Sequence, residues 1–194
     1  GGAMVPLNLK SLVGKLNDTC RRSLEAAAGI CLSRTHYNVE IEHWLLKILE
    51  TPNTDLAVLL RNYEIDSSRL QRDLTKAIDR FKTGNSRAPA LSPNIVDLSR
   101  EAWTIASVEF GAFRARTGHL LCALLSDDSL ARLARDASEE FQKISPEVLR
   151  KELVGLVANT SEAEGEVTAE PAAGGGPGRS AVPGGPTKTP SLDQ

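Results

Sequence analysis

Surplus charge of either sign is missing from this 194-residue chain: 25 acidic side chains face 23 basic ones, for a net charge of −2. That balance leaves no electrostatic footprint for nucleic acid, which is excluded as a partner. Long apolar runs are missing too. None reaches the ~18 uninterrupted apolar residues that a bilayer span needs, so no membrane partner is expected. The start, GGAMVPLN, has neither a basic region nor an apolar core, and no secretory leader is read there. Gly1-Gly2-Ala3 ahead of Met4 reads as a cloning remnant, residues 1–4. Cysteine is scarce. Cys20, Cys31 and Cys122 are an odd number and lie inside helical patterns, as reduced, buried thiols of a cytoplasmic protein do. A phosphate-cradling GxxxxGK[ST] loop is absent, so these residues are not expected to hydrolyse ATP.

What the chain does have is helical periodicity. In residues 38–50, Ile41, Trp44, Leu45, Ile48 and Leu49 form one apolar stripe, with Glu42, His43 and Lys47 off it. The block returns in RTGHLLCALL, where His119 lies 76 positions after His43. At that offset Leu121, Leu124 and Leu125 fall on Leu45, Ile48 and Leu49, Phe113 falls on Tyr37, and Ser99, Glu101 and Ala102 fall on Ser23, Glu25 and Ala26. A fixed offset with matched apolar phase marks a duplicated helical unit. Packed face to face, two copies bury both stripes.

The spacing predicts a short amphipathic segment through Leu7, Leu9, Leu12, Val13 and Leu16, then a helix over 19–32 capped by Asn17 or Asp18. The striped helix follows, capped by Asn38 or Glu40 and closed at Thr51-Pro52. Further helices are expected over 55–62 and, capped by Asp66, over 67–81, before a loop at 82–90 with Gly84-Asn85 as its turn. Ser92 and Pro93 start the second copy, which runs to Phe110 and stops at Gly111. Thr117 is the expected cap of a helix over 118–125, and helices over 127–134 and 146–157 complete the set. After Ala158 glycine and proline dominate, the composition of a flexible linker, and something is expected to follow it.

The paired blocks, with His-Leu-Leu-x-Ala-Leu-Leu at residues 119–125, resemble the Clp amino-terminal domain family over about residues 17–157. The resemblance implies an all-α fold: a double four-helix repeat over residues 5–159, with an extra amino-terminal helix and a disordered linker at 160–194. Three stretches are similar to the type VI secretion branch, the ClpV-type ATPases. They are Leu16 to Arg21 with Ser23-Leu24-Glu25, Ile41 to Pro52, and the extra segment at 9–16. Residues 188–194 resemble the lead-in to a first ATPase module. By resemblance, such a domain is a binding module of the bacterial cytoplasm. It takes a helix from the amino-terminal end of the large sheath subunit, so that the contracted sheath is disassembled. The resemblance further implies a monomeric isolated domain without a cofactor, and an intact hexameric ATPase using ATP and Mg²⁺. The alternative it leaves is an adaptor- or unfolded-chain-binding domain of a Clp disaggregase or protease unfoldase.

A visiting helix would lay its apolar face into an apolar cleft. The expected lining is Leu9, Leu12, Val13 and Leu16 on one side and Leu91, Ser92 and Ile95 on the other. The first segment is too short to be stable alone and must dock on the body. His43 and His119 hold equivalent first-turn places and read as structural, each bonding a nearby backbone group, whereas His36 is a loop histidine with no partner in sequence. Cys31, His36 and His43 fit no zinc spacing, and no cysteine has an activating context. Trp44 and Trp103 read as core. Arg114, Arg116, Arg132 and Arg135 read as a solvated face rather than an edge for an acidic partner.

Overall fold

The computed structural model describes residues 9–164. A short lead helix, α1 (Leu9–Gly14), precedes two sets of four. The first set is α2 (Asp18–Ser33), α3 (Ile41–Leu49), α4 (Asp55–Asn62) and α5 (Ser67–Asp79). The second is α6 (Pro93–Thr104), α7 (Thr117–Ser126), α8 (Asp128–Ala137) and α9 (Pro146–Leu156). A four-residue helix, α10 (Ser161–Glu164), follows. Among these residues no helix is long and apolar enough to cross a membrane.

Most starts are written locally. Asn17, Thr54, Asp66, Ser92, Asp127 and Ser145 each accept a backbone N–H of the first turn, an arrangement typically worth about 1 kcal/mol. Glu40 caps α3 through a reciprocal pair: its side chain accepts the His43 N–H, and His43 Nδ1 accepts the Glu40 N–H at 2.9 Å. For α7 the cap is Arg116, one residue before the expected Thr117. A guanidinium cannot accept, so His119 Nδ1, accepting the Arg116 N–H at 3.0 Å, does the local work there. The helix expected to run to Phe110 does so by changing pitch: α6 passes into a π-helical stretch, Ile105–Glu109, before Gly111 turns the chain at φ 63°.

The two sets pack alike. α2 lies on α3 as α6 lies on α7, and α3 meets α5 as α7 meets α9. The sets also exchange backbone. β1 (Asn38–Val39), ahead of α3, pairs in parallel with β2 (Ala90–Leu91), ahead of α6. Ala115, ahead of α7, bridges Leu16, ahead of α2. Val39 and Ala115 are repeat equivalents at the 76-residue offset, and Leu91 and Leu16 match by position, each lying one residue before a helix cap. The two bridges therefore obey one pseudo-two-fold relation. Both stripes are buried. That of α3 lies against α2 and α5 of its own set rather than face to face with α7, which packs on α6, α8, α9 and α4. Trp44, Leu59, Leu70, Leu74 and Ile95 are fully enclosed. The Trp44 indole N–H donates to Cys20 O and Ser23 Oγ, both at 3.1 Å. Trp103 is only half-buried, with Lys15 Nζ 5.0 Å above its ring.

The body extends past the expected boundary at residue 159. Thr160 and Glu162 are 1% and 4% exposed, and they close a polar core that composition could not announce. The linker expected beyond this point and the remnant at residues 1–4 lie outside the described residues.

Candidate functional site

The seven expected lining residues lie on or just beside α1, β2 and the start of α6, and they differ in exposure. α1 packs on α6, and its exit is stitched down: the Asn17 N–H donates to Ala115 O at 2.9 Å, and the Ala115 N–H donates to Lys15 O at 2.7 Å. Leu16 and Ile95 are fully buried, and the Ser92 hydroxyl accepts the Ile95 N–H at 3.2 Å. Those three are spent within the domain. Leu12, at 9% exposure, points at the body as well. Leu9 is exposed, and Val13 and Leu91 are half-buried. Leu9, Val13 and Leu91 are thus the expected lining residues that keep surface accessible to a partner.

Beside this edge lies the buried polar core. Arg116, expected on a solvated face, is 6% exposed. Its Nε and Nη2 donate to Asp55 Oδ2 and Oδ1 at 2.9 and 2.7 Å, and Nη2 reaches Val157 O at 2.9 Å. The Thr160 hydroxyl donates to Asp55 Oδ1 at 2.6 Å, and the Gly118 N–H donates to Oδ2 at 3.2 Å. Glu162 accepts from Asn17 Nδ2 at 2.9 Å, from Asp55 N at 2.7 Å, from Thr117 N at 2.8 Å, and from the Thr117 hydroxyl. Burial, and then the charge of Asp55, push the Glu162 carboxyl upward, while the Thr117 and Asn17 donors pull it back. This network ties both halves to α10, and every charge in it is bonded, as buried charges require. The remaining arginines of the expected face differ: Arg132 borders a cleft with Arg80, Glu42 and Asp136 between α5 and α8.

The histidines are structural in a more specific way than the sequence conveys. His36, expected to stand alone, is buried, and its Nδ1 lies 3.0 Å from His43 Nε2. Cys31 joins them, and one ligand atom from each residue falls within 4.8 Å of the others. By residue type the trio suits zinc. The hydrogen bonds oppose it. His43 Nδ1 accepts from Glu40, so the neutral ring carries its hydrogen on Nε2, the nitrogen a metal would have to take. That hydrogen goes to His36 Nδ1. Burial, then the neighbouring His36, hold His43 down at about 4. Burial also raises the Cys31 thiol, whose Sγ contacts Asn38 O at 3.2 Å. Burial raises Cys20 too and pushes Cys122 up to about 12, so neither is a nucleophile at neutral pH.

Residues 15–137 match the Clp repeat (R) N-terminal domain. The chain belongs to that family. It is 33% identical over 159 residues to the AAA+ ATPase ClpV1 of Pseudomonas aeruginosa, covering 82% of this chain and 18% of the relative. With the chaperone ClpB of Yersinia enterocolitica the identity is 34% over 72% of this chain and 16% of the relative. The chain thus spans about a fifth of the length of these relatives. Among solved structures it is similar to a ClpV N-domain in complex with a VipB peptide: TM-score 0.70, 26% identity, 84% of this chain and 99% of the other covered. The Clp domain resemblance, its ClpV likeness and the all-α double repeat read from the sequence are therefore upheld.

Proposed function

We propose that this domain is the partner-recognition module of a type VI secretion AAA+ ATPase, and that its α1–α6 edge takes an amphipathic helix from the amino-terminal end of the large sheath subunit. The observation that carries this reading is the lead helix. α1 is docked on α6 yet leaves Leu9 exposed and Val13 half-buried, and Leu91, just ahead of α6, is half-buried too. Similarity to a ClpV N-domain that was solved with a VipB peptide supports the same reading. By this reading the intact protein is a hexameric ATPase of the bacterial cytoplasm. ATP and Mg²⁺ are held by modules beyond these residues, and recognition of the sheath leads to its disassembly.

Calorimetric titration of the domain with an amino-terminal sheath-subunit peptide tests this. Val13→Asp and Leu91→Asp change accessible residues and should each weaken binding about tenfold or more, with helicity unchanged. Leu12 is a poorer probe because its side chain also supports the body. Unaltered affinity in both variants would remove this edge from the site. Likeness to ClpB favours a second reading, an adaptor- or unfolded-chain-binding domain of a disaggregase. That reading has no need of α1, so deletion of residues 1–14 would leave binding intact.

A further inference from the structure

On α9 stands an arginine whose bonding is incomplete. The Arg150 side chain is 38% exposed, yet its Nε is shut off from solvent, and among the described residues nothing accepts the Nε hydrogen. Arg150 makes an ion pair with Glu109, the last residue of the π-helical stretch, where Nη1 lies 3.6 Å from Oε2. That is too long for a hydrogen bond. A charged donor without an acceptor is costly and signals a missing partner.

A cavity adjoins this pair. Val154 follows Arg150 by one helical turn on the same face of α9. Val154 is 65% exposed and lines a cavity of about 360 Å³, with Phe110, Leu153 and Val157 among the other walls. Phe110 directly follows Glu109 in the chain. Both sides of the cavity therefore lead back to the Arg150–Glu109 pair.

The chemistry narrows the ligand. Asp55 and Arg116 also line the cavity but are paired with each other, so the cavity itself suits an apolar group. One turn away, about 6 Å along the helix, a guanidinium waits for an acceptor. A carboxylate meets the Nε–Nη edge of a guanidinium with two parallel bonds, which no single neutral oxygen can do. Glu109 is 40% exposed and can swing aside to admit one. We propose that this face binds a partner peptide bearing an aliphatic residue and, two positions away on an extended chain, an Asp or Glu. The aliphatic side chain enters the cavity, and the carboxylate displaces Glu109 from Arg150. Residues two apart on an extended chain point the same way and stand about 7 Å apart, which matches the separation on α9. The site does not rest on the α1–α6 reading and needs no sheath peptide.

The probe is the peptide acetyl-Asp-Ser-Leu-Ser-amide, followed by ¹⁵N NMR of the arginine side chains of the 194-residue chain. A ligand of that size should bind with a Kd on the order of 1 mM. The expected result is a saturable shift of the Arg150 Nε–H resonance. Replacing the peptide's Asp by Asn, or its Leu by Ser, should weaken the response about threefold or more. Glu109→Gln removes the competing carboxylate and should tighten binding about twofold, with helicity intact. Arg150→Gln should erase the preference for the Asp peptide over the Asn peptide. If Arg150→Gln does not fold, the two peptides compared on the unaltered chain still decide the matter. An Arg150 resonance that never moves, equal binding of the Asp and Asn peptides, equal binding of the Leu and Ser peptides, or weaker binding to Glu109→Gln would each overturn the proposal.

Discussion

Asp55→Asn puts the buried clasp to its severest test. The carboxylate takes four hydrogen bonds, from Arg116 Nε and Nη2, Thr160 Oγ1 and Gly118 N. An amide of the same size has one acceptor oxygen and presents an NH₂ to the donors on its other side. At least two of the four bonds are lost, and the guanidinium is left charged at 7% side-chain exposure. Removing one partner of a buried pair costs about 3–5 kcal/mol. Two charge-assisted bonds at about 1.5–3 kcal/mol each give about 3–6 kcal/mol, which overlaps that range. Glu162 offsets part of this, because the Asp55 charge that helps raise its carboxyl is gone and it ionises more readily. The expected loss is therefore near the low end, about 3 kcal/mol, which for a domain of this size lowers Tm by about 6–12 °C. Urea unfolding should show a lower midpoint at unchanged slope. Asp55→Asn with Arg116→Met removes both charges and should recover a substantial part of the loss. A single-variant loss below about 1 kcal/mol, or a double variant worse than the sum of its parts, would refute the clasp as the anchor of the two halves.

Acid should destabilise the domain through its histidines. Burial holds His43 and His119 at about 4 against an ordinary 6.5, so the unfolded chain takes up protons first as pH falls. Each then contributes about 3 kcal/mol, full above pH 6.5 and lost toward pH 4, and a flat urea midpoint across that window would contradict the assignment. Gly118→Ala places a Cβ 3.0 Å from Leu153 Cδ1 and 3.1 Å from Asp55 Oδ2. It should cost about 1–3 kcal/mol by calorimetry, and an unchanged Tm would show that α9 gives way. Cys20 and Cys122 should resist a thiol reagent in the native state and react fully in denaturant; rapid native labelling of either would mean that the bundle opens readily.

The readable parts of the molecule are those decided within one helical turn or one repeat. Apolar stripes such as Ile41, Trp44, Leu45 and Ile48 became core because a helix with one greasy face must bury it. Ser92-Pro93 and Asp66 mark helix starts because a cap is a three-residue bargain between a side chain and a backbone N–H. The offset between His43 and His119 exposed the duplication, and hence the family fold, without any contact being known. The lining expected at the α1–α6 edge was legible only as a stripe. Which of its members stay outside depends on how deeply α1 seats, and that depth left Leu9, Val13 and Leu91 available while enclosing Leu16 and Ile95.

Sequence alone therefore determined the helices, their doubling and the thiols' burial, since each follows from local period or composition. Tertiary structure alone decided where the polar residues went. Arg116 met Asp55 across 61 positions, Glu162 met Asn17 across 145, and His36 became the partner of His43. Charged and hydrogen-bonding side chains follow no period. Their fate is set by which distant donor or acceptor the packed helices bring within 3 Å, and no stretch of neighbouring residues records that.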